Sequence, residues 1–102
     1  MTTFTTNISR RSNVVVAKDQ VSADLVGEAV ILNLRSGVYY GLNGVGARIW
    51  ELIQQPRSVS DVCDVILAEY EVEAERCEQD LLALLQELAA KALIEVKDES
   101  VA

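Results

Sequence analysis

The side chains that could perform chemistry are few, because the chain has two cysteines and no histidine. Histidine is the commonest general base and metal ligand, and it is the usual partner of a nucleophilic cysteine. Cys63 and Cys77 lie in helical patterns, where such residues are typical small buried hydrophobes. We therefore expect no metal site and no cysteine nucleophile.

Acidic residues cluster around the last of three helical segments. At helical spacing most of them point to solvent, and those in the first turn favour the positive end of the helix dipole. They lack the apolar flanking that raises a pKa for acid catalysis, and their order is not that of a calcium loop. They predict a solvated surface: Glu69, Glu71, Glu73, Glu75, Glu78, Asp80 and Glu87.

Three glycines, Gly41, Gly44 and Gly46, follow a predicted strand with the spacing G-x-x-G-x-G. A phosphate-binding loop would need a later helix start and a lysine, and this segment has neither. No other nucleotide motif is present. The sequence thus predicts a protein that is not an enzyme and that uses no cofactor.

The charge balance limits the partners. Nine Lys and Arg against sixteen Asp and Glu give a net charge of −7, which disfavours nucleic-acid binding. The chain shows no signal-peptide pattern, and no apolar run reaches the roughly 18 residues of a membrane span. We expect a cytoplasmic protein with reduced thiols and no membrane partner. Its 102 residues suit one domain.

Several short β-prone segments precede the helices. The strongest, Ala29 to Leu34, alternates its faces and leads through Arg35-Ser36-Gly37 into a returning strand, Val38 to Leu42. In that third strand Val38, Tyr40 and Leu42 share one face, and Tyr39 and Gly41 share the other. Weaker extended signals cover Val14 to Val16, Val21 to Val26 and, after the helices, Leu93 to Val96.

Three helices are expected after these strands. The first follows Asn43 as N-cap and ends before Pro56, the second follows Ser58, and the third runs from Ala74 to about Lys91. Strands followed by helices indicate an α+β domain with a three-stranded antiparallel sheet.

The third helix carries an apolar face wider than a surface helix needs. Leu82 and Ala89 extend its stripe, and the excess could contact this chain, a second subunit or a ligand. Likewise, Tyr39 and Tyr40 could simply cover the sheet, or they could border a groove for an extended peptide. The stripe itself consists of Cys77, Leu81, Leu84, Leu85 and Leu88.

The run from Ala29 to Asn43, with Gly46 and Ile49-Trp50 after it, resembles the PqqD-like family. So do Ser58 to Asp61, Cys77-x-x-Asp80-Leu81 and the closing Leu93-Ile94, so that the similarity covers roughly residues 14 to 96. The resemblance implies a winged-helix-like fold and a recognition element for ribosomally synthesised, modified peptides.

The resemblance further implies that the leader segment of a precursor peptide lies antiparallel along the third strand, beside the third helix. Asp80 would flank this cleft and meet a donor or cation of the leader. The peptide-binding positions carried over are Val38, Tyr39, Tyr40, Gly41, Leu42, Cys77, Asp80, Leu81 and Leu84.

Free-standing relatives of this size resemble the leader-binding subunits of lasso-peptide pathways, which work beside a separate leader protease. We favour that assignment over a chaperone for a radical SAM peptide-modifying enzyme, over a winged-helix nucleic-acid binder and over a purely dimerising subunit. Residues 1–12 are predicted to form a flexible N-terminal tail, 13–97 the peptide-recognition domain and 98–102 a C-terminal tail.

Overall fold

The computed structural model describes residues 8–97, which form two antiparallel sheets and three helices. This confirms the α+β class and the three helices. The first sheet has three strands, as predicted, but other strands form a second sheet. In chain order the elements are β1 (Asn13–Val16), β2 (Gln20–Leu25), β3 (Glu28–Asn33), β4 (Tyr39–Asn43), α1 (Val45–Leu52), β5 (Arg57–Ser58), α2 (Val59–Glu69), α3 (Ala74–Ala90) and β6 (Ile94–Lys97).

The first sheet has the strand order β2-β3-β4. Gly27 and Gly37, with φ of 73° and 75°, allow the two tight connections between its strands. Tyr40 pairs with Ile31, and Leu42 pairs with Ala29. Ile31 and Ala29 are fully buried, so this face of the sheet lies on the core.

The second sheet, with the order β5-β1-β6, joins the beginning and the end of the described chain. Val14 pairs with Val96 on one side and with Arg57 on the other. The sequence predicts β1 and β6, but it predicts neither β5 nor this division into two sheets. The pairing depends on contacts between residues about 80 positions apart, which no local pattern specifies.

The helices begin where local chemistry permits. Helix α2 starts as predicted, because the Ser58 Oγ accepts a hydrogen bond from the Asp61 N–H at 3.0 Å. The predicted N-cap of α1 was wrong. Asn43 instead ends β4 opposite Glu28, and Gly44, with a φ of 57°, makes the turn into the helix.

The core lies between the first sheet and the three helices. Trp50 is fully buried, and its Nε1–H donates to the Ser22 Oγ at 3.1 Å, which fixes α1 against β2. Cys63 and Cys77 are free thiols in the same core, with their sulfurs 3.7 Å apart. They pack as small hydrophobic residues at the contact between α2 and α3.

The residues just before β1 also make contacts. Ile8 and Ser12 are buried, and the Val59 N–H donates to the Ser12 carbonyl at 2.9 Å. The packed region therefore includes residues 8–12, whereas the division of the chain into a domain and two tails stays a prediction. The tail residues 1–7 and 98–102 lie outside the described residues. Between residues 8 and 97, no helix has both the length and the apolar character needed to cross a bilayer.

Candidate functional site

Strand β4 offers a free edge, because β3 is the only described strand that pairs with it. Two hydrogen bonds flank the β3–β4 ladder. The Asn33 N–H donates to the Val38 carbonyl at 3.0 Å, and the Gly44 N–H donates to the Gly27 carbonyl at 3.2 Å. Bonded and non-bonded pairs alternate along an antiparallel ladder. The backbone N–H and C=O groups of Tyr39, Gly41 and Asn43 therefore point away from β3, toward solvent.

One end of this edge opens into an apolar depression of about 220 Å³ beside α3. Val45 and Ile49 of α1 form one wall, and Leu81 and Leu84 of α3 form the other. Arg76 and Asp80 stand at the rim with Arg76 Nε 3.6 Å from Asp80 Oδ2, and both side chains are largely exposed. The full lining is Val45, Gly46, Ile49, Ile66, Val72, Arg76, Cys77, Asp80, Leu81 and Leu84.

A second depression, of about 410 Å³, lies at the other end of β4. Its walls include Val38 and Tyr40 from the strand side and Ala90 and Lys91 from the end of α3. Since the start of β4 meets the end of α3, the strand and the helix run side by side in opposite directions. An extended peptide along β4 would pass both depressions.

Tyr40 is the half-buried aromatic residue of this second depression. The Lys91 Nζ lies 5.5 Å from the centre of its ring, within the range of a cation–π contact. Burial, and then the neighbouring Glu87 carboxylate, raise the pKa of Tyr40 to about 12. The hydroxyl is therefore neutral near pH 7 and remains a hydrogen-bond donor.

Asn33 holds this end of the site together. Its Nδ2 donates to the Lys91 carbonyl at 3.0 Å, and its Oδ1 accepts from the N–H groups of Arg35 and Ser36 at 2.8 and 3.2 Å. One buried side chain thus shapes the β3–β4 turn and ties it to the end of α3. The sequence prediction missed Asn33, although its place on the apolar face of the strand was a usable signal.

Arg48 ties α1 to the end of α2. Its Nε and Nη2 donate to the two carboxylate oxygens of Glu69 at 2.9 and 2.7 Å, and its Nη1 donates to Glu51 at 2.8 Å. The guanidinium holds the pKa of Glu69 below its usual range. The pair steadies the helix that carries Val45 and Ile49. No local pattern could have paired residues 21 positions apart.

The nine predicted binding residues fall into three places. Cys77, Asp80, Leu81 and Leu84 line the first depression, with Cys77 and Leu81 buried in its floor. Val38 and Tyr40 line the second. The others do not line either depression: Leu42 packs on Gly46, and Tyr39 and Gly41 belong to the opposite face of the sheet. That these positions bind a peptide stays a prediction.

The structure also bears on metal binding and on residues that the sequence prediction omitted. Within the described part of the chain, no three acidic or cysteine side chains are grouped so that they could hold a metal ion. Most of the omitted lining residues come from segments predicted only as helix or loop, while Asn33 and Leu93 come from predicted strands. Those that matter most for the two depressions are Val45, Ile49, Val72, Arg76 and Lys91.

Comparisons with known proteins agree with this architecture. One similar solved structure is TbiB1 in complex with the TbiA(beta) leader peptide. The aligned region is 38% identical in sequence and covers 86% of this chain and 98% of the TbiB1 chain, with a TM-score of 0.75. Another is a lasso peptide synthetase B1 complexed with the leader peptide, 29% identical over 80% of this chain and 96% of that chain, with a TM-score of 0.72.

The sequence-family comparison is consistent with the structural one. No curated protein matches the sequence significantly. The family model described as coenzyme PQQ synthesis protein D (PqqD) matches residues 28–94, which is more than half of the chain. This span includes β3, β4, all three helices and hence both walls of the candidate site. The chain therefore belongs to the PqqD family.

Proposed function

We propose that this protein binds the leader segment of a ribosomally synthesised precursor peptide by strand addition to the free edge of β4. The observation that carries the proposal is the edge itself, with its outward backbone groups at Tyr39, Gly41 and Asn43 beside depressions lined by α3. The similarity to TbiB1, solved with a leader peptide, supports it. Strand addition gains backbone hydrogen bonds without requiring particular side chains.

Selectivity would come from the inward-facing side chains of the leader. In an antiparallel fourth strand, every second residue points to the face that carries Tyr40 and Leu42. The depression at Leu84 favours large apolar side chains there. The exposed ion pair of Arg76 and Asp80 is weak, so Asp80 can exchange its partner for a donor or cation of the leader.

The antiparallel direction gives the bound leader a polarity. Strand β4 runs from the Lys91 end of the site toward the Val45 end. An antiparallel leader therefore has its N-terminal part near Val45 and Arg76, and its C-terminal part near Tyr40 and Lys91. The segment to be matured leaves the protein beside Lys91, where a second protein must reach it.

The protein acts in this proposal as a presenting subunit without catalysis of its own. The partner we prefer is the leader protease of a lasso-peptide pathway, since both similar structures hold leader peptides and one is a lasso peptide synthetase B1. Residues 13–97 form the recognition domain in this proposal, and residues 8–12 pack against it. Its place is the cytoplasm, where the ribosome makes precursor peptides.

A binding titration tests the edge. The ligand is a fluorescently labelled synthetic TbiA(beta) leader peptide, the ligand of the similar TbiB1 structure, and its binding is followed by anisotropy. Gly41→Pro removes an outward N–H and leaves the β3 ladder intact, and we expect about a ten-fold or larger loss of affinity. Asp24→Pro is the matched control. Its N–H points outward from β2 at the opposite edge of the same sheet, and affinity should not change.

The same titration tests the groove. Leu84→Glu places a charge in the apolar depression, and we expect at least a ten-fold loss of affinity. Ala83→Glu puts the same charge on an exposed neighbouring position of α3 and should bind as the unmodified protein does. Wild-type affinity in both Gly41→Pro and Leu84→Glu would refute leader binding at this cleft.

A further inference from the structure

Gly41 is a glycine whose presence the fold of this chain does not explain. Gly27, Gly37 and Gly44 have positive φ angles, and a Cβ on Gly46 would lie 3.3 Å from Leu42. At Gly41 the φ is not positive, and an added Cβ would meet no atom of the described residues within 4 Å. Glycine within a strand is destabilising relative to alanine, because it loses more conformational freedom on folding. Nothing among residues 8–97 therefore requires a glycine at this position.

The surroundings of Gly41 suggest why a glycine stands there. A side chain at position 41 would lie on the outer face of the first sheet, beside Tyr39, which is 67% exposed. Gly41 pairs with Val30, and Tyr39 pairs with Leu32. Both partners are only partly buried. The result is a gap in the edge strand with apolar side chains around it, which we call the outer notch: Val30, Leu32, Tyr39 and Gly41.

Strand addition brings one set of leader side chains to this notch. Gly41 directs its N–H and C=O toward the leader, so the leader residue opposite Gly41 forms a bonded pair with it. Directly paired residues point to the same face of a sheet. That leader residue therefore projects onto the outer face, next to the space that a side chain at position 41 would fill.

We infer that the leader carries a large apolar side chain, aromatic or leucine-like, opposite Gly41, and that this side chain lies across the glycine onto Val30. Strands are about 4.8 Å apart, so a side chain must span a whole strand to reach Val30, and valine or alanine is too short. An aromatic ring covering a glycine on a neighbouring edge strand is a recognised stabilising contact. The inference rests on the proposed leader binding.

The consequence is that the protein reads the leader on both faces. Residues that face Tyr40 and Leu42 enter the depressions along α3. Their immediate sequence neighbours enter the outer notch. Specificity then depends on consecutive leader residues and not only on every second one. Gly41 is therefore a specificity-determining position, although it has no side chain.

Filling the notch tests the inference. Gly41→Val keeps the backbone N–H and suits a strand, so urea denaturation should show unchanged or slightly higher stability. The labelled leader described above should bind about ten-fold more weakly, and Gly41→Ala should lie between. Ala23→Val makes a related change on the same outer face, in β2, and should leave affinity unchanged.

An alanine scan of the leader identifies the contacting residue. Alanine at one leader position should weaken binding to the unmodified protein about ten-fold. The same alanine should weaken binding to the Gly41→Val variant little further, because the contact is already lost there. If Gly41→Val binds normally while Gly41→Pro does not, the outer notch is refuted and strand addition stands. If no leader position is coupled to Gly41→Val, the notch is likewise refuted. Normal binding by Gly41→Pro and Leu84→Glu together refutes the underlying function instead.

Discussion

At the scale of single residues, Asn33 shows how a polar side chain positions an apolar site. It is only 8% exposed, yet its side chain makes one bond to Lys91 and two to the turn that leads into β4. The alternation of the sequence places Asn33 on the same face of its strand as Ala29 and Ile31. It does not reveal that the bonding partner lies 58 positions away, because local patterns carry no information on long-range contacts.

Removing this side chain should destabilise the protein. Asn33→Ala leaves the Lys91 carbonyl and two turn N–H groups without their partner, and we expect a loss of about 2 kcal/mol in the free energy of unfolding. Urea denaturation followed by circular dichroism measures it. Asn43→Ala is the control, because Asn43 is exposed at the end of β4 and its change should be close to neutral. Equal effects of the two substitutions would contradict the positioning role of Asn33.

At the scale of elements, the sequence correctly predicts those features that depend only on residues close together in the chain. The β3–β4 hairpin, the start of α2 and the extent of α3 are of this kind. The α1 cap was wrong because pairing of Asn43 with Glu28 extends β4 past the residue that would otherwise cap the helix. Tertiary pairing here overrides a local preference.

The start of α2 offers a test at this scale. Ser58→Ala removes the oxygen that accepts from the Asp61 N–H, and we expect a loss of about 1 kcal/mol in stability. Ser60→Ala, inside the same first turn, removes a hydroxyl that is not a cap and favours helix slightly. Thermal unfolding should show a lower midpoint for Ser58→Ala alone. A similar decrease in both variants would contradict the capping role.

At the scale of the whole molecule, the candidate site is the space between a strand and a helix that are about 40 positions apart in the chain. The sequence predicts each wall: β4 by its alternation and α3 by its leucines. It does not predict the distance or the angle between them. Asn33 with Lys91 ties the β3–β4 turn to the end of α3, and Arg48 with Glu69 ties α1, which follows β4, to the end of α2. Both contacts are long-range.

The central claim is strand addition to β4, and amide hydrogen exchange with and without the leader tests it most directly. Tyr40 and Leu42 direct their N–H groups into the β3 ladder, so they should be protected in the free protein already. Tyr39 and Gly41 direct theirs outward, so their exchange should slow only when the leader binds. If a bound leader leaves the Tyr39 and Gly41 amides exchanging as fast as in the free protein, the leader does not add as a strand to β4.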